Sequence, residues 1–423
     1  MQELGTIAVI GLGYIGLPTA AAIAARGHRV VGVDVNESTV SAVSEGRVPF
    51  VEPDLGGVVE KAVADGLLTA TTEMPEADAY VVAVPTPFLD DKSADLSYIK
   101  AASEAIAPRL RGGEIVILES TSPPGATEQM GEWLLAARPD LAVAGTGDGR
   151  PEVFLAHCPE RVLPGRIMVE IVENDRVIGG VTPACAERAA DVYRIFCRGE
   201  LLTTDARTAE LCKLVENSFR DVNIAFANEL AGICDELGID VWRLIELANR
   251  HPRVNILKPG PGVGGHCIAV DPWFIVAAAP GRSALIRQAR ETNDARPAQV
   301  VDKVRAALPE GRSATVAALG LAFKADVDDL RESPALHVAG EIADMLGEEG
   351  TLVAVEPHVE ALPRSLANRR NVELADLSTA LERADVLVLL VDHKEFAGVD
   401  AGQIGGKAVV DTRGQWRHVV AAR

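Results

Sequence analysis

Aromatic residues make up only 4% of the 423-residue chain, although hydrophobic residues make up 48%. Cores rich in Ala, Val and Leu but poor in rings suit parallel strands covered on both faces, and a chain this long needs about two or three of them. No Cys-x-x-Cys spacing occurs among Cys158, Cys185, Cys197, Cys212, Cys234 and Cys267, and the eight histidines form no His-x-x-x-His pair. Neither a zinc centre nor a compact disulfide framework is indicated, so no metal is expected and the thiols read as reduced. No basic segment leads into an apolar stretch at the start, and no apolar run approaches the roughly 20 residues of a membrane span. A cytoplasmic location and no membrane partner are expected. Basic residues are outnumbered 41 to 61, which leaves a net charge of -20. Nucleic acid would be repelled by such a chain as a whole and is not expected as a partner.

Thr6-Ile7-Ala8-Val9-Ile10 is an apolar, partly β-branched run that leads into Gly11-Leu12-Gly13-Tyr14-Ile15-Gly16 and an Ala-rich helical stretch to Arg26. A second strand, Arg29 to Val33, ends in Asp34. Glycine repeats alone are common in turns. Between a strand and a helix, with an acid about 20 residues on, they form a dinucleotide-binding fingerprint. Gly11 makes the tight turn, Gly13 lets the backbone approach a pyrophosphate, and Gly16 permits close helix packing. The helix N-terminus favours the phosphate charge. Asp34 would accept both ribose hydroxyls and repel a 2′-phosphate, so the expected cofactor is NAD. Ala79 to Val84 and Glu114 to Leu118 read as buried strands, ending in Pro85-Thr86-Pro87 and Glu119-Ser120-Thr121. Such strand ends line the crevice of an open parallel sheet, which puts Thr86 and Thr121 beside the nicotinamide half. Gly145 to Gly149 reads as a surface loop, and Cys158 to Gly165 sets Glu160 beside Arg161 between prolines.

From Arg207 to Leu237 apolar residues recur at helical spacing, interrupted only by Gly232, which predicts one helix of roughly 45 Å that links domains and supports a dimer. On it Lys213, Asn217 and Arg220 share a face with Ile224. Because Leu211, Leu214, Val215, Phe219 and Val222 surround that face, it is expected to turn into a cleft. The basic turn His251-Pro252-Arg253-Val254-Asn255 then precedes Gly260-Pro261-Gly262-Val263-Gly264-Gly265-His266-Cys267. Its glycines let a backbone approach a ligand closely, and Asp271, four residues after Cys267, could hold a water or a lysine. A buried core thiol is the commoner fate of a free Cys.

The last third repeats the first. Ala317 to Lys324 echoes the first strand and its glycine turn, Gly350 to Glu356 echoes Gly27 to Asp34, and Ala384 to Val391 echoes Ala77 to Val84. The fold class expected is α/β, with two Rossmann-like doubly wound domains joined by a long helix and a helical dimerisation domain. The expected boundaries are 1–205 for the NAD-binding domain, 206–305 for the central helical domain with the Cys loop, and 306–423 for the second Rossmann-like domain. That last domain has lost the glycine fingerprint and carries Lys324 and Arg331 at the turn; it reads as a nucleotide site or as a scaffold without a ligand.

Gly11 to Gly16, Pro85-Thr86-Pro87, Ser120-Thr121, Pro159-Glu160, Lys213 with Asn217, Gly264-Gly265-His266-Cys267, and Gly320 to Lys324 with Arg331 resemble, in order, the UDP-glucose/GDP-mannose dehydrogenase family. The resemblance covers essentially the whole chain. It implies an NAD-dependent four-electron oxidation of a sugar C6 alcohol to a carboxylate, through a thiohemiacetal and then a thioester on Cys267. A water or Lys213, held near Asp271, would take the hydroxyl proton; Lys213 and Asn217 would stabilise the oxyanion; Glu160, assisted by Thr121, would activate the hydrolytic water. It further implies that Tyr14, Ile15, Asp34, Thr86, Thr127 and Arg331 line the NAD site. Arg161, Val162, Lys213, Asn217, Arg220, His251, Arg253, Gly264, Lys324 and Arg417 would hold the UDP-sugar, with the basic turn reaching across a homodimer interface. Phe50 to Leu55, Asn217 to Asn223, Asn249 to Asn255, and His266 where glucose-specific members usually carry Ser imply UDP-N-acetyl-D-mannosamine as substrate and bacterial surface polysaccharide as destination. UDP-N-acetylglucosamine and UDP-glucose are the alternatives.

Overall fold

The computed structural model describes residues 4–421 apart from 148, 164 and 266. The chain divides into two compact units, Met1–Glu216 with Ala277–Ala279, and Asn217–Val276 with Pro280–Arg423.

In the first unit the β-branched runs form β1 (Thr6–Ile10), β2 (Arg29–Val33), β3 (Leu68–Thr71), β4 (Ala79–Val82), β5 (Ile115–Leu118), β6 (Ala142–Val143), β7 (Glu152–His157), β8 (Arg176–Gly180) and β9 (Leu201–Asp205). They pair in the order β3-β2-β1-β4-β5-β7-β8-β9, with β6 beside β7. The pairing of β7 with β8 is antiparallel; the other pairings in this sheet are parallel. Each face carries its own core: Leu17, Ile23, Val59 and Phe196 on one, Tyr80, Ile99, Met130 and Leu134 on the other. Strand order reverses between β1 and β4, and ligands of such sheets bind in the crevice that this reversal opens at the strand C-termini.

The second unit holds β10 (Thr315–Leu319), β11 (Thr351–Val355), β12 (Val372–Leu374), β13 (Val386–Leu389) and β14 (Ala408–Asp411), all parallel in the order β12-β11-β10-β13-β14. The internal echo is therefore structural. Gly11 N–H donates to Val33 O at 2.7 Å, and Gly320 N–H donates to Val355 O at 2.8 Å; their φ angles are +92° and +89°. The acids that end the second strands differ in use. Asp34 is partly exposed, whereas Glu356 is buried and its Oε2 accepts Leu321 N–H, Ala322 N–H and a contact to His393 Nε2 at 3.1 Å. With that carboxylate enclosed, the second sheet has no acid at this position to offer a ribose, which is the physical counterpart of its lost fingerprint.

The predicted long helix is Ala206–Leu237, 32 residues, and the division between units falls within it. The polar stripe is partly covered: Lys213 and Asn217 are half-buried, and Arg220 is exposed. Leu214 is buried, but Leu211, Val215 and Phe219 are 38%, 48% and 71% exposed. Among the described residues, Leu211, Val215, Phe219, Phe226, Ile233 and Leu237 leave one apolar side of the helix exposed.

Candidate active site

The dinucleotide crevice is assembled by the ends of β1, β4 and β5. A Cβ on Gly16 would lie 1.8 Å from Gly11 O and one on Gly11 2.5 Å from Ala83 O, so this turn admits no side chain at either position. At Gly13 a Cβ would meet no atom within 4 Å, which leaves an exposed cradle open to a ligand. Asp34 Oδ2 accepts Leu12 N–H at 2.8 Å and Oδ1 accepts Asn36 N–H at 2.9 Å, which anchors the glycine turn and leaves acceptor capacity on each oxygen. Tyr14 is exposed and stacks on Phe50 with centroids 4.2 Å apart; Ile15 is half-buried beside it. Ser120 Oγ donates to Val84 O at 2.6 Å and ties the ends of β4 and β5 together. Beyond it the Thr86 and Ser122 hydroxyls are buried without a hydrogen-bond partner among the described residues. Orphaned hydroxyls at a strand-end crevice fit an amide-bearing ligand such as nicotinamide. Thr121 is half-buried at the same edge. Thr127 is different: it is fully buried, and its N–H and Oγ1 both bond Glu210 Oε1, at 2.7 and 2.6 Å. Its hydroxyl ties residues 125–127 to the long helix.

Glu160 follows β7 and is buried. Its Oε2 accepts from Arg176 Nη2 at 2.7 Å and its Oε1 from Arg161 N–H at 2.7 Å. Arg161 turns its guanidinium to Glu216 at 2.9 Å and to the Asp175 carbonyl, while Val162 packs on the sheet core. Glu52 accepts Gly165 N–H and Ile167 N–H, each at 2.9 Å, and so fastens the far end of this loop. Lys213 is half-buried on the long helix, one turn before Asn217.

In the second unit Cys267 is exposed, which answers the core-thiol alternative. Gly262 and Gly265 have φ of +149° and +87°, and a Cβ on Gly264 would lie 2.5 Å from Glu332 O and from Pro334 Cδ. Only glycine lets this loop pass so near the 332–334 backbone. His266 lies outside the described residues. Val270 N–H and Asp271 N–H both donate to Cys267 O, a turn that leads into the helix Asp271–Ala278. Asp271 is buried and accepts from Asn217 Nδ2 at 2.5 Å, so two expected site residues meet. The start of the loop is held by a buried polar network. Gly260 N–H donates to Asn228 Oδ1, Asn228 Nδ2 to Asn293, and Asn293 Nδ2 to Asp221, which Arg290 pairs at 2.5 Å. Arg220 is exposed on the same helix, as are His251 and Arg253 on the basic turn and Lys324 after β10. Arg331 is bonded by Asp329 at 2.6 Å, and Arg417 lies 3.9 Å from Glu246.

Sequence models of the UDP-glucose/GDP-mannose dehydrogenase family match the chain three times: the NAD binding domain over residues 5–197, the central domain over 207–295 and the UDP binding domain over 317–418. The chain belongs to this family. It is an NAD-dependent nucleotide-sugar dehydrogenase, and residues 5–197, which carry β1 to β8, are its NAD binding domain. Its relatives in the family include the NDP-N-acetyl-D-galactosaminuronic acid dehydrogenase of Ralstonia nicotianae, 56% identical over 98% of this chain and 97% of that protein. The UDP-N-acetyl-D-mannosamine dehydrogenase of Salmonella typhi is 56% identical over 97% and 99%. Among solved structures, the UDP-N-acetyl-mannosamine dehydrogenase of S. aureus superposes with a TM-score of 0.81 at 41% identity, covering 97% of this chain and 95% of that one.

Several supports of this dehydrogenase's site had no sequence signal. Arg176, Glu210 and the Asn228–Asn293 pair are ordinary polar residues in a strand and helices, Glu119 follows β5, and only the tertiary packing brings them to Glu160, Thr127 and Gly260.

Proposed function

We propose that the chain oxidises the C6 alcohol of UDP-N-acetyl-D-mannosamine to UDP-N-acetyl-D-mannosaminuronate, a step towards bacterial surface polysaccharide. The exposed thiol of Cys267 on a glycine loop is the observation that carries the four-electron reading, since a two-electron alcohol dehydrogenase has no use for it. The curated relatives also favour a second reading. Proteins named for the mannosamine and for the galactosaminuronic acid sugar are equally similar, at 56% identity, so the C4 and C2 epimer belongs in the substrate panel.

NAD, held by the turn Gly11–Gly16, Asp34 and Thr86, supplies the hydride acceptor for each of the two oxidations. The chain's own residues do the rest. Asn217 fixes the Asp271 carboxylate, which in turn holds the water or the neutral Lys213 amine that accepts the C6 hydroxyl proton. Cys267 Sγ adds to the aldehyde carbon and retains the sugar between the two oxidations. Lys213 and Asn217 stabilise the oxyanion, and Glu160 with Thr121 activates the water that opens the thioester. Arg161, Val162, Arg220, His251, Arg253, Gly264, Lys324 and Arg417 are assigned to the UDP-sugar, Tyr14, Ile15 and Arg331 to NAD. Arg253 and Lys324, both exposed, offset the diphosphate charge in an otherwise acidic protein. Domain limits of 1–205, 206–305 and 306–423 go with these roles.

We further infer a homodimer through the uncovered apolar face of the long helix, and a cytoplasmic location that keeps all six cysteines reduced. The deciding experiment is the NADH yield per molecule of limiting sugar, run with UDP-N-acetylmannosamine beside the galacto and gluco epimers and UDP-glucose. A yield of two with the first establishes chemistry and substrate together. A yield of one removes the thioester step.

A further inference from the structure

Beside Glu160 the first unit buries a second carboxylate, a guanidinium and a thiol to which the proposed reaction assigns no task. Arg176 opens β8, whose reversal against β7 brings it beneath the residues that follow β5 and β7. Its side chain is 3% exposed. Nη2 donates to Glu160 Oε2 at 2.7 Å and to Ile171 O at 3.0 Å, and Nη1 lies 3.9 Å from both Glu119 Oε1 and Cys158 Sγ. The rings of Tyr193 and Phe196 stand 4.8 and 5.2 Å from the guanidinium carbon, while Nε has no acceptor. Glu119 is bonded by hydroxyls: Thr19 Oγ1 donates to one oxygen at 3.0 Å and Tyr193 to the other at 3.2 Å. One buried cation thus stands within reach of two carboxyl groups. It is bonded to Glu160 and merely near Glu119.

We propose that Arg176 and Glu119 are positioning residues for the hydrolytic half of the reaction, Arg176 fixing the Glu160 carboxylate and Glu119 competing for the same cation. The inference rests on Glu160 being the base assigned above. In the step concerned, the water oxygen bonds to the thioester carbon and one water proton passes to Glu160. The C–S bond then breaks, and its electron pair returns to Cys267 Sγ. A base that must be ionised before that step needs a counter-charge in a dry pocket, and a planar guanidinium also fixes its orientation.

Charge balance over the whole cluster sets when the competition begins. Burial pushes the Glu119 carboxyl up to about 8, so near neutrality it is uncharged. Burial also pushes the Cys158 thiol up to about 12, raises the Tyr193 phenol well above its ordinary value and drives His157 down to about 3, so these neighbours carry no charge either. Arg161 faces Glu160 with its backbone N–H and spends its guanidinium on Glu216. Near neutrality an uncharged Glu119 leaves the Arg176 cation to Glu160. Above about 8 Glu119 ionises, and Arg176 is divided between two carboxylates.

The test follows thioester hydrolysis in the full-length enzyme with UDP-N-acetylmannosamine, by rapid-quench mass spectrometry of the Cys267 adduct and by NADH release, across pH 6–10. Glu160→Gln should accumulate the acyl adduct after two NADH, with hydrolysis slowed about 10²- to 10⁴-fold. Arg176→Lys should also accumulate it, with about tenfold slower hydrolysis and an unchanged first oxidation, because a point charge replaces the fork. Hydrolysis in the unaltered enzyme should decline above about pH 8, where Glu119 ionises, and Glu119→Gln should abolish that decline. Ordinary hydrolysis in Glu160→Gln removes the base and with it the reading beneath this inference. If Glu160→Gln stalls but Arg176→Lys hydrolyses normally, or if the alkaline decline survives in Glu119→Gln, the base stands and the positioning pair falls. Should the Arg176 variant fail to fold by circular dichroism, the Glu119→Gln profile decides alone.

Discussion

A methyl group on Gly16 would sit 1.8 Å from the Gly11 carbonyl, whereas one on Gly13 would touch nothing within 4 Å. Two glycines of one motif therefore serve different masters, one the fold and one the ligand. Gly16→Ala should lower the melting temperature, while Gly13→Ala should leave it in place and weaken NAD binding about tenfold or more, because its methyl occupies the pyrophosphate's approach. Calorimetry and an NAD titration separate the two; equal effects on stability would refute the distinction. A second residue-scale prediction concerns Glu119, whose carboxyl is raised from 4.5 to about 8 by burial. The unfolded chain ionises it from about pH 4.5 and the folded chain does so only near 8, so the unfolded state binds fewer protons between those values and stability falls as pH rises. Denaturant melts of Glu119→Gln against the unaltered protein should show a gap that opens in the variant's favour from pH 4.5 to 8 and is constant above. Glu160 was visible from its place in a proline-flanked turn. Its cation was not, because Arg176 lies 16 residues away and reaches it only through the reversal of β8.

Helix Ala206–Leu237 was readable at nearly its full length, since an apolar period broken only by Gly232 specifies a helix without help from the rest of the fold. Which of its faces would be covered was not readable. Leu211, Val215, Phe219, Phe226, Ile233 and Leu237 all remain exposed and recur along one side. Phe219→Lys together with Phe226→Lys should convert the inferred dimer to a monomer in sedimentation analysis; a dimer that survives both would place the interface elsewhere. The opposite side buries the pair Asp221–Arg290, with side chains 0% and 1% exposed, and the asparagines that hold Gly260. Burial raises the Asp221 carboxyl and the Arg290 charge opposes that shift. Removing one partner strands the other in a dry core, so Asp221→Ala should cost about 3–5 kcal/mol in a denaturant melt. Restoring neutrality with Asp221→Leu and Arg290→Met should recover part of that loss.

At the scale of the molecule, two sheets with the same strand logic have diverged in one carboxylate. Asp34 stays accessible beside its glycine turn, and Glu356 is drawn inward to His393 and the 321–322 backbone. NAD binding should therefore reside in the first sheet: Asp34→Ala should abolish tight NAD binding in calorimetry while UDP binding is retained, and loss of both would contradict this division. Local patterning was enough to establish the α/β class, the internal duplication, the NAD fingerprint and the candidate nucleophile, because glycine turns, β-branched runs and helical periods act within a few residues of themselves. Tertiary structure alone decided what each polar group is paired with. It committed Thr127 to Glu210, Asn217 to Asp271 and Glu160 to Arg176, and it left one apolar face of the long helix bare. Those outcomes depend on contacts between residues distant in sequence, and no local pattern encodes the desolvation and charge balance that select one partner over another.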